Sequence, residues 1–411
     1  MKYPRYMKAP LEAALADTPV VLIHGPRQSG KSTLAIAVGG EKYSYITFDE
    51  DAILAAARND PKGFIEDLPA YCILDEIQRI QELFTSIKLS VDKDRRPGRF
   101  LLTGSANILL LPQLGDSLAG RMEVVRLQPL SQAEIHCSKT NYLSLAFNKQ
   151  LRGSFDQRLR DDLVDRITKG GFPEPLQRSN ERRRRAWYRN YIATTVEREI
   201  SEISNIRYGA EIPVLLEKIA NNTACLVNFS KLSQGLLLDQ KTTKHYVDLM
   251  AQVFLIHSLR PWHSNRNSRL VKTAKLHVTD TGLLSNILRM NKQQLTNERK
   301  ILGQFLETFV YNELSRLSGW HEQELQFFHY RDNDQFEVDI IILNEEGQIL
   351  GVEVKLAASV SEKDFKGLKH FKKQYTERFM GGHIFYDGDR VLSFGEGMYA
   401  VPLQCLWASP N

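Results

Sequence analysis

The stretch that most constrains this chain is residues 20–38. The apolar, β-branched run Val20–Ile23 leads through His24 into the sequence GPRQSGKST and then into helix-compatible residues 34–38. A GxxxxGKS spacing between a strand and a helix is the pattern of a phosphate-binding loop. The loop comprises Gly25, Pro26, Arg27, Gln28, Ser29, Gly30, Lys31, Ser32 and Thr33. A chance glycine turn is the alternative, and the flanking strand and helix argue against it.

The residue types of this loop suit a nucleoside triphosphate bound with Mg²⁺. Gly25 and Gly30 allow a tight turn that points successive N–H groups inward, and the next helix adds its positive N-terminal end. Lys31 is expected at the β- and γ-phosphates, and the Ser32 hydroxyl is expected on Mg²⁺. The sequence therefore predicts ATP and Mg²⁺ as cofactors.

A second element of the same site follows one strand–helix unit later. The apolar run 71–74 ends in Asp75 and Glu76. An apolar strand that ends in two acids fits a Walker B motif, in which the first carboxylate holds Mg²⁺ and the second polarises the attacking water. We therefore predict Asp75 as a metal and cofactor residue and Glu76 as the catalytic base.

Small polar residues and one arginine complete the prediction for this site. The run 99–103 ends at Thr103 and is followed by Ser105 and Asn107, at an edge where open α/β sheets bind ligands. Any of the three can sense the γ-phosphate, and Ser105 is included in the predicted cofactor set. Arg121 is predicted as an arginine finger; a surface arginine at a strand entry is the alternative.

Taken together, GPRQSGKST, CILDEIQ, LLTGSAN and LAGRMEVVRLQPLS resemble the prokaryotic AAA+-type ATPases that carry a C-terminal domain long labelled as of unknown function. The resemblance extends over most of the chain. It implies an ASCE-class P-loop sheet with Glu76 as the base. In AAA+ relatives the polar, helical stretch 155–204 forms a lid, and Arg198 is a loose candidate to reach the nucleotide from it.

Length and composition leave several domains open. A chain of 411 residues exceeds the size at which one core keeps growing, so two to four domains are expected. The net charge of +5 is too small to indicate nucleic-acid binding by itself. Because the N-terminus lacks a signal-peptide pattern and no segment approaches the ~20 apolar residues of a membrane span, we expect a cytoplasmic protein without a membrane partner.

The middle of the chain contains two basic features. The run Glu181–Tyr188 holds four consecutive arginines beside Trp187 and Tyr188, and it is either a solvated helix face or a phosphate-backbone contact. Residues 212–256 read as helix, capped helix, helix and strand, which favours a winged helix. Nucleic acid, with DNA favoured, and protein are both open as its partner. Its candidate contacts are Lys241, Lys244 and His245 on the recognition helix and Arg266 and Arg269 on the wing.

The C-terminal part presents a second acidic constellation. Glu307 lies in a predicted helix, Asp339 enters a strand, and Glu353 and Lys355 share one face of the next strand. A hairpin between the strands brings Asp339 alongside them. Two carboxylates and a lysine on one face suit Mg²⁺-assisted phosphodiester hydrolysis, with Asp339 and Glu353 on the metal and Lys355 activating water. A cross-strand salt bridge is the alternative.

These residues resemble the core of the PD-(D/E)XK nuclease fold, with Val338-Asp339 in place of Pro-Asp. The resemblance implies that Asp339, Glu353 and Lys355 are catalytic, and that Glu307 is the first-helix acid seen as a further metal ligand in resolvase-like members.

The predicted fold class is α/β. It combines a P-loop NTPase sheet of AAA+/ASCE type (1–140), a helical lid (150–207), a winged-helix module (208–297) and a restriction-endonuclease-like domain (298–411).

Two functions remain open at this point. The first is an ATPase coupled to a nucleic-acid-binding, Mg²⁺-dependent nuclease domain. The second is a regulatory or protein-remodelling ATPase whose C-terminal fold is a non-cutting interaction module. Other protein subunits and an oligomer are possible in both.

Overall fold

The computed structural model describes residues 3–105, 118–196, 200, 209–263 and 273–410, and it divides into two compact units. Unit 1 comprises residues 1–130 together with Gln252–Phe254, and unit 2 comprises residues 131–251 and 255–411. The division between the units falls at residue 130, and the predicted lid, winged-helix and C-terminal segments all belong to unit 2.

The described residues of unit 1 contain a parallel sheet of five strands in the order β2-β3-β4-β1-β5. The strands are β1 (Val20–His24), β2 (Ser44–Thr47), β3 (Cys72–Asp75), β4 (Phe100–Gly104) and β5 (Met122–Arg126). Every residue of β1 is buried, as expected for a parallel strand covered on both faces. Because β4 lies between β1 and β3, the sheet has the ASCE-type arrangement that the sequence resemblance implied.

Helices pack against this sheet and close its core. They are α1 (Lys8–Asp17), α2 (Lys31–Gly39), α3 (Asp51–Asn59), α4 (Pro61–Glu66) and α5 (Leu83–Lys93). Leu22, Leu74 and Leu102 from the three central strands meet Phe84 and Ile87 of α5 in one core cluster in which all five side chains are fully buried. The carboxyl ends of β1, β3 and β4 therefore meet at one edge, fixed by apolar packing below it.

The described part of unit 2 contains a nine-stranded sheet in the order β13-β14-β12-β11-β10-β9-β7-β8-β6. The strands are β6 (Cys225–Leu226), β7 (Ile256–Pro261), β8 (Lys275–Val278), β9 (Gln326–Arg331), β10 (Glu337–Leu343), β11 (Ile349–Lys355), β12 (Phe379–Tyr386), β13 (Leu392–Ser393) and β14 (Met398–Pro402). The helices are α6 (Gln132–Ile135), α7 (Tyr142–Phe147), α8 (Asp161–Lys169), α9 (Pro173–Leu176), α10 (Glu181–Thr194), α11 (Glu211–Asn221), α12 (Phe229–Ser233), α13 (Gln240–Gln252), α14 (Thr281–Ile287), α15 (Lys292–Asn297), α16 (Arg299–Leu317) and α17 (Lys366–Gln374).

The polar stretch expected to be helical forms α8, α9 and α10, whereas Arg198 lies outside the described residues. Trp187 and Tyr188 are not available to a phosphate backbone. Both are buried, and both pack against Phe172. The aromatic residues of this stretch therefore build the core of unit 2, and only its arginine face remains at the surface.

Three helices and a hairpin follow in residues 211–278. Helices α11, α12 and α13 precede the antiparallel pair β7 and β8, and β6 pairs with the other side of β8. The sequence predicts a strand at residues 253–256, but the observed strand begins later. Phe254 has a left-handed φ of 59° and the Leu255 N–H donates to the Met250 carbonyl, so the helix ends in a turn and β7 begins at Ile256.

The last part of the chain follows an αβββαβ order. Helix α16 precedes the antiparallel strands β9, β10 and β11, and β12 returns through α17 to lie parallel to β11. Val338 and Ile341 of β10 pack with Leu368 and Phe371 of α17 and Ile384 of β12, all fully buried. The antiparallel pairing of β10 with β11 forms the hairpin expected between Asp339 and Glu353.

A buried ion pair joins helices of unit 2. The Asp280 carboxylate, which is fully buried, accepts hydrogen bonds from the Gly171 N–H (2.7 Å), the Tyr188 hydroxyl (3.2 Å) and the Leu283 N–H (3.1 Å). Arg316 of α16 lies 3.1 Å from the same carboxylate. Asp280 also caps α14, since its side chain accepts from the Leu283 N–H at the start of this helix.

We expect Asp280→Ala to lower the free energy of unfolding by about 2–5 kcal/mol, because two buried N–H donors lose their acceptor and Arg316 keeps only Glu313, at 2.8 Å, as an ion-pair partner. Asp280→Asn keeps an acceptor oxygen and should lose less. Urea denaturation of the full chain measures both. The matched control is Glu362→Ala, which removes the exposed partner of Lys369 and should leave the midpoint unchanged. An Asp280→Ala midpoint equal to the wild-type value would contradict a structural role for this carboxylate.

Candidate functional site

The glycines of the loop are required by their surroundings. At Gly25, which directly follows β1, a Cβ atom would stand 2.1 Å from the Leu127 carbonyl oxygen. Gly30 has a φ of 96° and is the residue before α2, whose first N–H groups therefore open onto the loop. Of the other predicted residues, Pro26 and Ser29 are buried, Arg27 and Ser32 are half-buried, and Gln28 and Thr33 are exposed. The loop thus has the backbone geometry of an anion site.

Lys31 lies inside the loop rather than on the surface. Lys31 is 5% exposed, and its ammonium donates to the carbonyls of Gly25 (3.1 Å) and Pro26 (3.0 Å). A buried ammonium next to the first turn of α2 makes the loop electropositive. This environment suits the phosphates of a nucleotide.

Arg5 supports the loop from outside and was missed in the sequence. Its guanidinium donates to the Ser29 carbonyl (2.6 Å) and to the Gln128 carbonyl (2.7 Å), and the residue is buried. It therefore ties the loop to the segment that follows β5. No local pattern around Arg5 signals this role, because its contact with Gln128 spans 123 residues of sequence.

Asp75 gathers hydroxyl groups from three elements. Its carboxylate accepts from the Ser32 hydroxyl (2.7 Å), from the Tyr45 hydroxyl (2.7 Å) and from Thr103. Burial and the bond to Asp75 raise the pKa of Tyr45, so this hydroxyl keeps its proton. A serine hydroxyl and a carboxylate side by side are hard oxygen donors, so Ser32 and Asp75 fit the coordination chemistry of Mg²⁺. Tyr45 is a further member of this site that sequence reasoning missed.

Glu76 is held in a specific backbone and side-chain conformation. It has a left-handed φ of 58°, and its N–H donates to the Thr103 hydroxyl (3.3 Å). The Gln78 amide donates both to the Glu76 carboxylate and to the Ser105 hydroxyl (3.1 Å). The structure thus brings Ser105 to Glu76 through Gln78, which the sequence analysis did not single out. A non-glycine residue in the left-handed region at a strand end is typical of functional sites.

Arg121 lies away from the loop of its own chain, and its predicted role as an arginine finger stays a prediction. Its carbonyl accepts from the N–H of Val20, the first residue of β1, whereas the loop follows the last residue of this strand. The five residues of β1 separate the two ends by about 16 Å. The Arg121 guanidinium instead pairs with Asp92 of α5 at 2.6 Å.

His24 and Phe254 adjoin the loop within unit 1. Their rings meet edge to face with centroids 5.3 Å apart, and the Arg126 guanidinium lies 5.7 Å from the Phe254 ring centre. Burial, with the charges of Arg126 and Lys31, lowers the pKa of His24 to about 4. His24 is therefore neutral at physiological pH, and as the last residue of β1 it packs its ring against Phe254.

A second cluster of acids lies in unit 2. The register that pairs Ile340 with Val352 puts Asp339 opposite Glu353, and the Val354 N–H donates to the Asp339 carboxylate (2.9 Å). The structure thus brings together the acids predicted from sequence. It also adds Lys275 of β8, whose ammonium lies 2.8 Å from Glu307 and 3.5 Å from Asp339.

Burial and mutual repulsion perturb the acids of this cluster. Burial, with the Asp339 charge, raises the pKa of Glu307 to about 8 against the opposing effect of Lys275. Burial and Asp339 raise the pKa of Glu353 well above its usual range. Burial disfavours the charge on Lys275, but Asp339, Glu307 and Glu337 outweigh it and raise the pKa of the ammonium. The lysine is therefore the charged centre of the cluster.

This cluster does not fit the predicted metal site. Among the described residues, no three acidic, histidine or cysteine side chains are arranged to hold a metal ion. The metal assignments of Glu307, Asp339 and Glu353 are therefore not met by this arrangement, because an ammonium lies among the carboxylates. The Lys355 ammonium lies 3.9 Å from an Asp364 oxygen, its side chain is 40% exposed, and its charge acts on Glu353.

The fold and the loop define an AAA-type P-loop ATPase, and comparison with known proteins agrees. The family described as "AAA domain" matches residues 17–136, which cover the sheet of unit 1 and its loop. Two domains of unknown function match residues 160–294 (DUF8612) and 302–406 (DUF4143). Unit 1 is thus a nucleotide-binding ATPase domain, and unit 2 corresponds to two families without an assigned activity.

Relatives extend over most of the chain. An uncharacterized protein of Mycobacterium tuberculosis is 29% identical over 359 residues, which cover 86% of this chain and 74% of that protein. An uncharacterized protein of Haemophilus influenzae is 24% identical over 392 residues, which cover 89% and 90%. A Walker-type ATPase of Pyrococcus abyssi is similar in structure, with 17% identity, a TM-score of 0.42, and coverage of 69% of this chain and 95% of that one. In the described residues, no helix is both long and apolar enough to cross a bilayer.

Proposed function

We propose that this protein is an ATP-driven switch that binds duplex DNA through α13 and does not cut it. The observation that carries the proposal is the basic face of α13. Thr243, Tyr246 and Met250 are buried at helical spacing, whereas Lys241, Lys244 and His245 are exposed. An amphipathic helix with a basic outer face, preceded by two helices and followed by a hairpin, supports a winged helix with α13 as its recognition helix.

The nucleotide chemistry follows from the residues of unit 1. Lys31 and the loop N–H groups would bind the phosphates, and Ser32 and Asp75 would hold Mg²⁺. Bound Mg²⁺ would neutralise charge on the phosphate oxygens. Glu76 accepts the proton of the attacking water, and Gln78 keeps its carboxylate in position through the hydrogen bond between their side chains. With Arg121 at the far edge of its own sheet, we propose that any arginine contact from it is made in a neighbouring subunit of an oligomer.

The chain itself provides a route from nucleotide to DNA. Helix α13 ends at Gln252, and the following residues 253–254 belong to unit 1, where Phe254 packs on His24 directly before the loop. A change in the loop on hydrolysis therefore acts on a segment joined without a linker to the end of the proposed recognition helix. We propose this segment as the coupling element.

Two observations favour a protein partner as the second candidate. Leu237, in the turn before α13, is 76% exposed, and Val214 of α11 is 46% exposed. A protein partner would remove these two apolar side chains from water, which contributes to binding. In this second reading the ATPase remodels or regulates a protein, and the C-terminal fold is an interaction module in both cases.

Duplex DNA binding is tested by fluorescence anisotropy at several salt concentrations. We expect wild-type protein to bind, and Lys241→Glu with Lys244→Glu to weaken binding about tenfold and to lower the slope of log affinity against log salt by about 2, one for each lost phosphate contact. Supercoiled plasmid incubated in parallel with Mg²⁺ or Mn²⁺, with and without ATP, should stay intact.

The control for charge is Lys292→Glu with Lys300→Glu, an equally exposed pair in α15 and α16. It should bind DNA as the wild type does. Equal weakening by both pairs would mean non-specific attraction, and no binding by wild type at low salt would favour the protein partner. Plasmid cleavage that Asp339→Ala and Lys355→Ala abolish would establish a nuclease instead.

A further inference from the structure

The acidic cluster of unit 2 surrounds a side chain from a distant strand. The Lys275 ammonium lies 2.8 Å from a Glu307 oxygen, 2.9 Å from a Glu337 oxygen and 3.5 Å from an Asp339 oxygen. The Lys275 side chain is 3% exposed. Three acidic side chains thus surround one buried ammonium. The cluster already contains a cation, and this cation is the side chain of a residue of the same protein.

From this arrangement we infer that Lys275 is the resident cation of the cluster, so that no divalent metal binds there in the wild-type protein. A metal ion would have to occupy space beside a buried positive charge, and the two like charges would repel. It would bind only after Lys275 had left its contacts with three acidic side chains, and breaking a buried ion pair such as that with Asp339 is strongly unfavourable. The negative charge of the residues that resemble a nuclease site is therefore balanced by the Lys275 ammonium.

The backbone keeps Lys275 in place. In β8 it pairs with Leu259 of β7 on one side and with Leu226 of β6 on the other. Since neighbouring strands hold it on both sides, the ammonium cannot withdraw by movement of its backbone alone. Glu307 belongs to α16, and Glu337 and Asp339 belong to β10. Lys275 thus ties the hairpin after α13 to the C-terminal αβββαβ segment, independently of DNA binding or ATP hydrolysis.

The test is Mn²⁺ binding to the nucleotide-free full chain, followed by electron paramagnetic resonance and by the thermal unfolding midpoint. Asp339→Asn in the wild-type background should leave Mn²⁺ binding unchanged. Any Mn²⁺ bound by the wild type is then bound at Ser32 and Asp75 and not at this cluster. Lys275→Gln should create a site that binds Mn²⁺ about tenfold more tightly or better than wild type does. Its unfolding midpoint, lowered in the absence of metal, should recover with Mn²⁺. Adding Asp339→Asn to Lys275→Gln should remove that gain.

The matched control is Lys369→Gln, which removes a lysine that pairs with Glu362 at 2.7 Å on the surface. It should change neither Mn²⁺ binding nor the midpoint. If Lys275→Gln does not fold, the double variant Lys275→Gln with Glu307→Gln is tested in its place. The double variant removes one basic and one acidic group together. Mn²⁺ binding by wild type that Asp339→Asn abolishes would overturn the inference. Folded Lys275 variants without any gain in Mn²⁺ binding would overturn it as well.

Discussion

Lys31→Ala is expected to abolish nucleotide binding. The Lys31 ammonium is buried in the loop, within 3.0–3.1 Å of two carbonyls of the turn that would surround the phosphates. A phosphate chain in this turn has the ammonium as its strongest partner, because charge-assisted hydrogen bonds are worth about 1.5–3 kcal/mol each. Loss of two such bonds weakens binding about a hundredfold or more. Titration with a fluorescent ATP analogue measures the change.

The Lys31 variant needs a control for folding and for charge. Lys62→Ala removes an exposed lysine of α4 in the same unit and should bind nucleotide as the wild type does. The thermal midpoint of Lys31→Ala without nucleotide shows whether unit 1 remains folded. A folded Lys31→Ala protein that binds the analogue with wild-type affinity would show that this loop is not the nucleotide site.

The nucleotide loop could be predicted because the residues of its sequence motif are consecutive in the chain. Nine neighbouring residues specify the turn, and the flanking strand and helix specify where it lies. Asp75 and Glu76 could be predicted for a related reason. The carboxyl ends of parallel strands meet at one edge, so a polar residue after each apolar run converges on the same place.

The supporting residues of that site could not be predicted in the same way. Arg5, Tyr45 and Gln78 act through single long side chains, and their rotamers depend on packing that no local pattern encodes. Strand direction separates Arg121 from the loop of its own chain. A residue that precedes a parallel strand lies at the opposite edge from one that follows a strand, and Arg121 precedes β5.

The acidic cluster shows a different limit of sequence reasoning. Alternation along β10 and β11 placed Asp339 and Glu353 opposite each other, since residues two apart share a face and the hairpin fixes the register. The missing element was the cation. Lys275 is 32 residues from Glu307 and 64 from Asp339 in sequence, and it follows a loop, so no periodic pattern connects it to either acid. A lysine at the start of the apolar strand β8 was its one visible signal.

The two units therefore differ in how their acids are used. Asp75 is surrounded by hydroxyl groups, which leave its charge available to a cation from solution. Asp339 has an ammonium beside it and a backbone N–H donating to it. The same residue type thus suits metal binding in unit 1 and a permanent internal ion pair in unit 2.

Glu76→Gln is expected to leave nucleotide binding intact and to slow ATP turnover by about 10²–10⁴-fold, the contribution of a positioned general base. The substitution keeps the shape of the side chain and an acceptor oxygen for the Gln78 amide, so the conformation around Thr103 and Ser105 should persist. Only the ability to take a proton is lost. Steady-state hydrolysis and analogue titration separate the two effects, since kcat falls while affinity does not. Glu82→Gln, an exposed glutamate before α5, is the control and should hydrolyse normally. Hydrolysis by Glu76→Gln at the wild-type rate would transfer the role of base to another residue and leave the left-handed conformation at Glu76 without a catalytic reason.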